Sequence, residues 1–465
     1  MWNSLHIGMA GPRPRSAGSR AVTESSNLVQ GVTTRRTKIV GEPNPTGGGP
    51  CAASSACPGT DVRLKCIQDT TAQSSFHGHE HEQSEAPSTA EGWKSRVTSD
   101  GAPLAGVRVL DLTTYLPGPY ATLLLADLGA DVIHVERPGG EPGRHIEPRV
   151  GDDSALHAWV GRNKRSIQLN LKDDEDRDRL RTLVTGCDVI VEGFTVGVAA
   201  RLGFDYETCR AVNPRVVYCS ISVAGQHGHN PGTPGHDINF LARAGFLSQV
   251  RDSAGAPVPI GPPIADIAAG LHAAVGILAA LLQREHSGEG RFVDVSLLGS
   301  AVALTGPQLV KALAADPPRL ERDFNLGSDA GYTTYQCRDG RWIAIGALED
   351  HFWIRLCRLL DRDDLIQLRA SRPDAAIEQL SAVFAAADRD HWDALLGDAN
   401  VCYAPINDMA EAAVDPYLTA SQDIVTVGHS RQPNSPIRLS GSVGRRFSPA
   451  PGLSSEDVSW CRRPE

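Results

Sequence analysis

The stretch "LAGVRVLDLTTYLPGPYATLLLADLGADVIHVERPGG", residues 104 to 140, constrains the fold more than any other. Val107 to Leu112 is a short, mostly apolar run and reads as a buried strand. Pro119 to Leu128 reads as an amphipathic helix, and Asp131 to Glu136 as a second strand. Two strands joined through a helix run parallel, because a parallel pair needs a crossover of about a dozen residues or more. A parallel sheet is covered by helices on its faces, so this one segment predicts an α/β fold.

Glu136, ending the second strand, invites a dinucleotide-binding reading. The turn after the first strand is "YLPGPYA", however. It lacks the G-x-G-x-x-G that lets a pyrophosphate approach the backbone, and NAD is rejected on that ground. The alternation continues. "RSIQLNL" and "CDVIVEGF" are strand-like with the helical "DDEDRDRLRTLVTG" between them, and "PRVVYCSISVAG" is a further strand. Ile267 to Gln283 is predicted as a long apolar helix, rich in Ala and Gly and suited to close packing. "TTYQCRDGRWIAIGA" places two alternating runs around Asp339-Gly340, a hairpin signal. These readings divide the chain into a large domain over 103–325, a small α+β domain over 326–412, and a C-terminal return to the large domain over 413–465, where "SPIRLSG" looks strand-like.

Residues 1–102 differ from the rest. "GEPNPTGGGP" and "SEAPSTAEG" are linker-like, and no hydrophobic period persists, so a disordered tail is expected. Cys51, Cys57 and Cys66 match no compact zinc knuckle. The alternate His77, His79 and His81 of "HGHEHE" read as solvated, and no metal site is expected. The first twenty residues lack an apolar h-region. They weakly resemble a mitochondrial transit peptide, but the tail reading is preferred. A formal charge of −10 and a pI near 5.8 argue against sequence-independent nucleic-acid binding. No apolar run reaches the roughly 20 residues of a membrane span. Cys187, Cys219, Cys337 and Cys402 sit in apolar or strand-like context, as reduced cysteines do, and a cytoplasmic location is expected.

Three residues invite chemistry. His236, in "GTPGHDINFLARAG", is a zinc ligand without partners, a turn residue, or a general base, since imidazole titrates near neutral pH. Asp237 beside it orients the ring or caps the following helix. Asp266, directly before the long apolar helix, is an N-cap or a catalytic carboxylate, and the two are compatible. Glu349, in "IGALEDHFW", alone would be a helix N-terminal acid.

From about residue 103 to 450 the chain resembles the family III CoA-transferase superfamily, which includes the α-methylacyl-CoA racemases. The resemblance rests on "LAGVRVLDLT", "PGPYATLLLADLGADVIHVERPGG", "NKRSIQLNLK", "ARLGFDYE", "PGHDINFLARAG", "ADIAAGLHAAVGILAALL" and "SGEGRFVDVSLL". It implies a Rossmann-like large domain, a small α+β domain and an interlocked homodimer. It also implies an acyl-CoA substrate, with no cofactor beyond the CoA moiety. Arg137, Lys172 and Arg201 match positions that meet CoA, the first two at its phosphates. Leu169 and Phe194 match positions that line the nucleotide. His236, Asp266 and Glu349 match the acid/base set of the racemase branch. In the transferase branch the residue matching Asp266 is a nucleophile.

The chain departs from the family where "FRPG" is usual. It has "FTVG", which puts Thr195 in place of an arginine. Where "TGFG" or "TGYG" is usual it has "SVAG", which puts Val223 in place of a glycine. The leading expectation is racemisation of a 2-methyl-branched acyl-CoA. The α-carbon would lie between His236 and Asp266, and Glu349 would hold the imidazole. The alternative is transfer of CoA between carboxylic acids through Asp266. A third reading is a non-enzymatic acyl-CoA binder.

Overall fold

The computed structural model describes residues 101–229, 232–252, 254–314, 326–440, 447–454 and 459–460. The tail expectation, with Cys51, Cys57, Cys66 and the alternating histidines, falls on residues outside these.

In chain order the first strands are β1 (Arg108–Leu112), β2 (Asp131–Glu136), the short ribbon β3 (Arg149–Val150) and β4 (Asp153–Ser154), then β5 (Lys164–Gln168). β6 (Val189–Glu192), β7 (Val217–Ser222) and β8 (Phe292–Ser296) follow. Six of them form one parallel sheet in the order β5-β2-β1-β6-β7-β8. The chain runs outward from β1 through β2 to β5, then returns to the other side of β1 with β6. The order therefore reverses between β1 and β6, and the carboxyl ends of these two strands bound the crevice where open α/β sheets bind ligands.

Side chains alternate along each strand and serve two cores. Val109, Val132, Val189, Val191, Val217 and Cys219 pack beneath Leu125 of the helix Pro117–Asp127 and the helix Ile264–Ser287. Leu110, Ile133, Ile167, Ile190 and Tyr218 face Leu180, Leu183 and Val184 of the helix Asp174–Gly186. The first helix starts two residues earlier than the sequence predicts. Pro117 occupies its first turn, where a missing N–H leaves no intrahelical bond unmade.

The apolar helix extends from Ile264 to Ser287, beyond the predicted 267–283, and ends where Gly288 turns left-handed. Contrary to the sequence expectation, it is long and apolar enough to cross a membrane. Its stripe Ala269, Ala273, Ile277 and Ala280 is nevertheless buried on the sheet. Gly270 shows why small residues are needed here. A Cβ at that position would sit 2.7 Å from the Pro117 carbonyl oxygen and 2.9 Å from Tyr120.

A third core gathers Tyr335, Ile343, Ile345, Trp353, Leu356, Phe384 and Trp392. The predicted hairpin is present as β9 (Tyr332–Gln336) and β10 (Trp342–Gly346), joined by β11 (Tyr403–Pro405). Of "SPIRLSG", residues 435–440 are described and form no strand. The C-terminal pair is β12 (Ile424–Val427) with β13 (Ser430–Pro433), just before it. Residues of the C-terminal part bond to the large sheet region. The buried Arg162 guanidinium donates to the Pro433 carbonyl (2.6 Å), and Gln168 N–H to that of Ser454 (2.9 Å).

Candidate active site

Asp266 lies inside the first turn of the Ile264–Ser287 helix, which has Pro263 at its N-cap position. Asp266 is thus not the N-cap that its position in the sequence suggests. Capping comes from a distant segment. Asp237 Oδ1 accepts from the N–H groups of Ala265 (2.7 Å) and Asp266 (3.1 Å). Asp237 is itself the first residue of the helix Asp237–Arg243, so its side chain caps another helix and not its own. Because Asp237 supplies this cap, the Asp266 carboxylate is left without a hydrogen-bond partner among the described residues. Burial first, and the Asp237 charge second, push Asp266 up to about 7.

His236 is the N-cap residue of the Asp237–Arg243 helix, and its ring is exposed. Asn239 Oδ1 accepts its backbone N–H at 3.0 Å. Through Asp237, then, the histidine segment is fastened to the Asp266 segment. Val223, which replaces the family's glycine, is partly buried in the cluster that joins these segments, with Phe240, Leu241, Ile264 and Ala265.

Glu349 is exposed and N-caps the helix Asp350–Leu359, whose Trp353 and Leu356 belong to the third core, without a side-chain capping bond. Among the described residues of one chain no hydrogen bond or ion pair joins Glu349 to His236 or Asp266.

The five CoA candidates all follow strands at the carboxyl edge of the sheet. Arg137 follows β2, Leu169 and Lys172 follow β5, and Phe194 and Arg201 follow β6. Arg137, Lys172 and Arg201 are exposed, as phosphate-binding cations need to be. Phe194 is half-buried, and its N–H donates to Glu192 Oε2 at 2.7 Å. Leu169 is 2% exposed, and its side chain belongs to the core on the Tyr218 face. Its N–H donates to the Glu136 carbonyl at 2.8 Å.

Beneath this edge is a buried polar cluster that the sequence reading missed. Asp111 Oδ2 accepts from Lys164 Nζ (3.1 Å) and lies 3.0 Å from His134 Nδ1. Burial opposes the charge on Asp111, but Lys164 and His134 hold the carboxyl far below the usual range. Glu136 receives both Nε and Nη2 of Arg144 at 2.6 Å. Here too burial opposes the charge, yet Arg144 lowers Glu136 to about 2. The sequence signal for this cluster is one polar residue per turn of strand alternation, in "VLDL" and "VIHVE".

A family model described as CoA-transferase family III matches residues 104–457. The chain is 34% identical over 379 residues to human succinyl-CoA:glutarate CoA-transferase, covering 78% of this chain and 86% of that protein. It is 36% identical over 333 residues to succinyl-CoA:mesaconate CoA-transferase of Haloarcula marismortui, covering 68% and 83%. Among solved structures, a CaiB/BaiF family protein from Brucella suis superposes with a TM-score of 0.69 at 30% identity, over 76% of this chain and 97% of that one.

Proposed function

Because the chain belongs to CoA-transferase family III, we propose that it moves CoA from an acyl-CoA donor to a carboxylic-acid acceptor, with Asp266 as the nucleophile. The observation that carries this reading is the state of Asp266: half-buried, raised to about 7, and freed from capping by Asp237. A carboxylate held that way is a stronger nucleophile than an ordinary one and is still ionised in good part at neutral pH.

The chemistry balances without an outside reagent. An Asp266 oxygen attacks the thioester carbonyl, the C–S bond breaks, and CoA thiolate leaves a mixed anhydride. The thiolate attacks the aspartyl carbonyl and releases the donor acid, giving an aspartyl-CoA thioester. The acceptor carboxylate then repeats the sequence in reverse, takes CoA and returns Asp266. Arg137, Lys172 and Arg201 are assigned to CoA. The dicarboxylic acids named in the relatives' activities, glutarate and mesaconate, make a dicarboxylic acceptor the first to test.

The sequence expectation of racemisation gives way to its alternative. It rests on His236, Asp266 and Glu349 as an acid/base set, and the relatives named above are transferases. Residues 103–325 with 413–465 are proposed as the CoA-holding part and 326–412 as the small domain. An interlocked homodimer is proposed as well. Leu271, Val275 and Leu282 leave an apolar face of the long helix 43%, 63% and 57% exposed, which a second copy would cover. A cytoplasmic location is retained as a proposal.

The deciding assay follows thioester exchange in deuterated water. Exchange that requires an added carboxylic acid, with a covalent adduct on Asp266, supports transfer. Deuterium at the α-carbon without acceptor would restore the racemase reading. CoA binding with neither reaction would leave only a binder.

A further inference from the structure

We propose that Glu141 is a positioning residue for the CoA site, clasping the loop after β1 to the loop after β2. The inference rests on the assignment of Arg137 to CoA, which racemase and transferase share. The first observation is backbone strain. Tyr115, in the loop between β1 and the Pro117–Asp127 helix, has φ of 65°. This left-handed conformation is unfavourable for a bulky L-residue and persists where the surroundings impose it. Tyr115 is 38% exposed, at the carboxyl edge of β1, on one wall of the β1/β6 crevice.

What imposes the conformation is visible from two sides. Asp111 Oδ1 accepts the N–H (3.0 Å) and hydroxyl (2.5 Å) of Thr113, fixing the start of the loop. On the other side the Tyr115 N–H donates to Glu141 Oε2 at 3.1 Å. Glu141 is 2% exposed, and the same oxygen accepts from Gly143 N–H at 2.8 Å. Its own N–H donates to Glu136 Oε2 at 2.9 Å. Glu136, 1% exposed, is in turn fixed by Arg144 and by the Ser166 hydroxyl (2.5 Å). Residues 137–140, between the two glutamates, thus form a loop closed at its base. Arg137 is part of it, and its Nε donates to the Gly140 carbonyl at 3.1 Å.

A buried carboxylate with two N–H donors holds its partners rigidly, because the alternative is a desolvated charge with none. The strained loop of Tyr115 and the loop of Arg137 therefore keep one relative geometry through Glu141. Removing it leaves the fold's hydrophobic layers untouched. It frees two walls of the CoA site to move, at a cost in CoA affinity and not in the chemistry at Asp266.

The experiment compares Glu141→Leu, Glu141→Asp and Glu141→Gln in the full chain, with calorimetric binding of free CoA and steady-state kinetics. Gln keeps an acceptor oxygen at the same reach and is expected within about threefold of wild type. Leu removes the acceptor and Asp falls short of it. Both are expected to weaken CoA binding about tenfold or more, the effect of one lost hydrogen bond to a charged group. The KM for acyl-CoA should rise in step, while kcat and the acceptor KM stay within about threefold. If the Leu variant does not fold, the Asp variant, which keeps the charge, decides. Unchanged CoA affinity in Asp and Leu, or equal loss in Gln, overturns the proposal. So does a fall in kcat with no change in CoA affinity. Calorimetry needs no turnover, so its result stands even where acceptor-dependent exchange is not found.

Discussion

Replacing Asp266 with Asn should stabilise the protein at pH 8 and leave it unchanged at pH 4. In the folded chain burial, then Asp237, raises this carboxyl from 3.8 to about 7. A carboxyl with a raised folded pKa costs nothing below its unfolded pKa, where both states are protonated. The cost grows as pH rises from about 4 and is complete above about 7, because there the folded state must hold a charge it disfavours. Three units correspond to about 4 kcal/mol. Partial exposure screens much of this, leaving about 2 kcal/mol as the expected gain of the Asn variant at pH 8. Asn keeps the shape of the side chain, and the cap is untouched because Asp237 supplies it. Urea unfolding of both proteins at unit steps from pH 4 to 8 reads the difference directly. A gap that does not change with pH, or a wild type more stable at pH 8, would refute the assignment of a raised pKa and with it the argument for an activated Asp266.

Two further predictions follow from the same neighbourhood. Asp237→Asn keeps an acceptor oxygen for both amides but removes the second cause of the shift, so the acid limb of kcat/KM should move to lower pH. An unmoved limb would mean that a different group titrates there. Gly270→Val should destabilise the fold by about 1–3 kcal/mol, the usual cost of overpacking, because backbone at Pro117 lies 2.7 Å from the new Cβ. A midpoint of denaturation equal to wild type would show that the two helices separate freely.

The layers of the fold were legible because they depend on residues close in sequence. The apolar runs at Val107–Leu112 and Asp131–Glu136 and the helix between them lie within one short segment, and Asp339-Gly340 marks its own hairpin. The strand expected in "SPIRLSG" failed because a short alternating run carries no information about whether a partner strand reaches it. The site was half legible. Asp266 was readable as a candidate from its place before an apolar helix, whereas Arg137, Lys172 and Arg201 became candidates only through the family resemblance and their places after strands. Asp237 was visible only as a local cap. Its bonds span 28 and 29 residues, and no spacing rule reports them. The clasp at Glu141 was invisible for the same reason. Tyr115 and Glu141 are 26 residues apart, and a left-handed Tyr leaves no mark in the sequence.

If Asp266 is the nucleophile of the proposed transfer, its raised pKa also predicts which covalent form accumulates. Consider the mixed anhydride between an ordinary carboxylic acid and Asp266. Thiolate attack on the aspartyl carbonyl expels the substrate acid, whereas attack on the substrate carbonyl expels Asp266. The weaker base leaves faster. An ordinary aliphatic carboxylic acid titrates near 4–5, as free Asp and Glu do, while Asp266 is raised to about 7. The first path is therefore favoured, and it is the one that carries the reaction forward to aspartyl-CoA. In the second half-reaction the same preference acts against release, because Asp266 must then depart. With acyl-CoA supplied and no acceptor added, intact-protein mass spectrometry should find the CoA adduct in excess over the acyl adduct. Asp237→Asn, by lowering Asp266, should shrink that excess and speed the second half-reaction. An acyl adduct that dominates in the wild type would show that position in the site, not basicity, decides how the anhydride breaks.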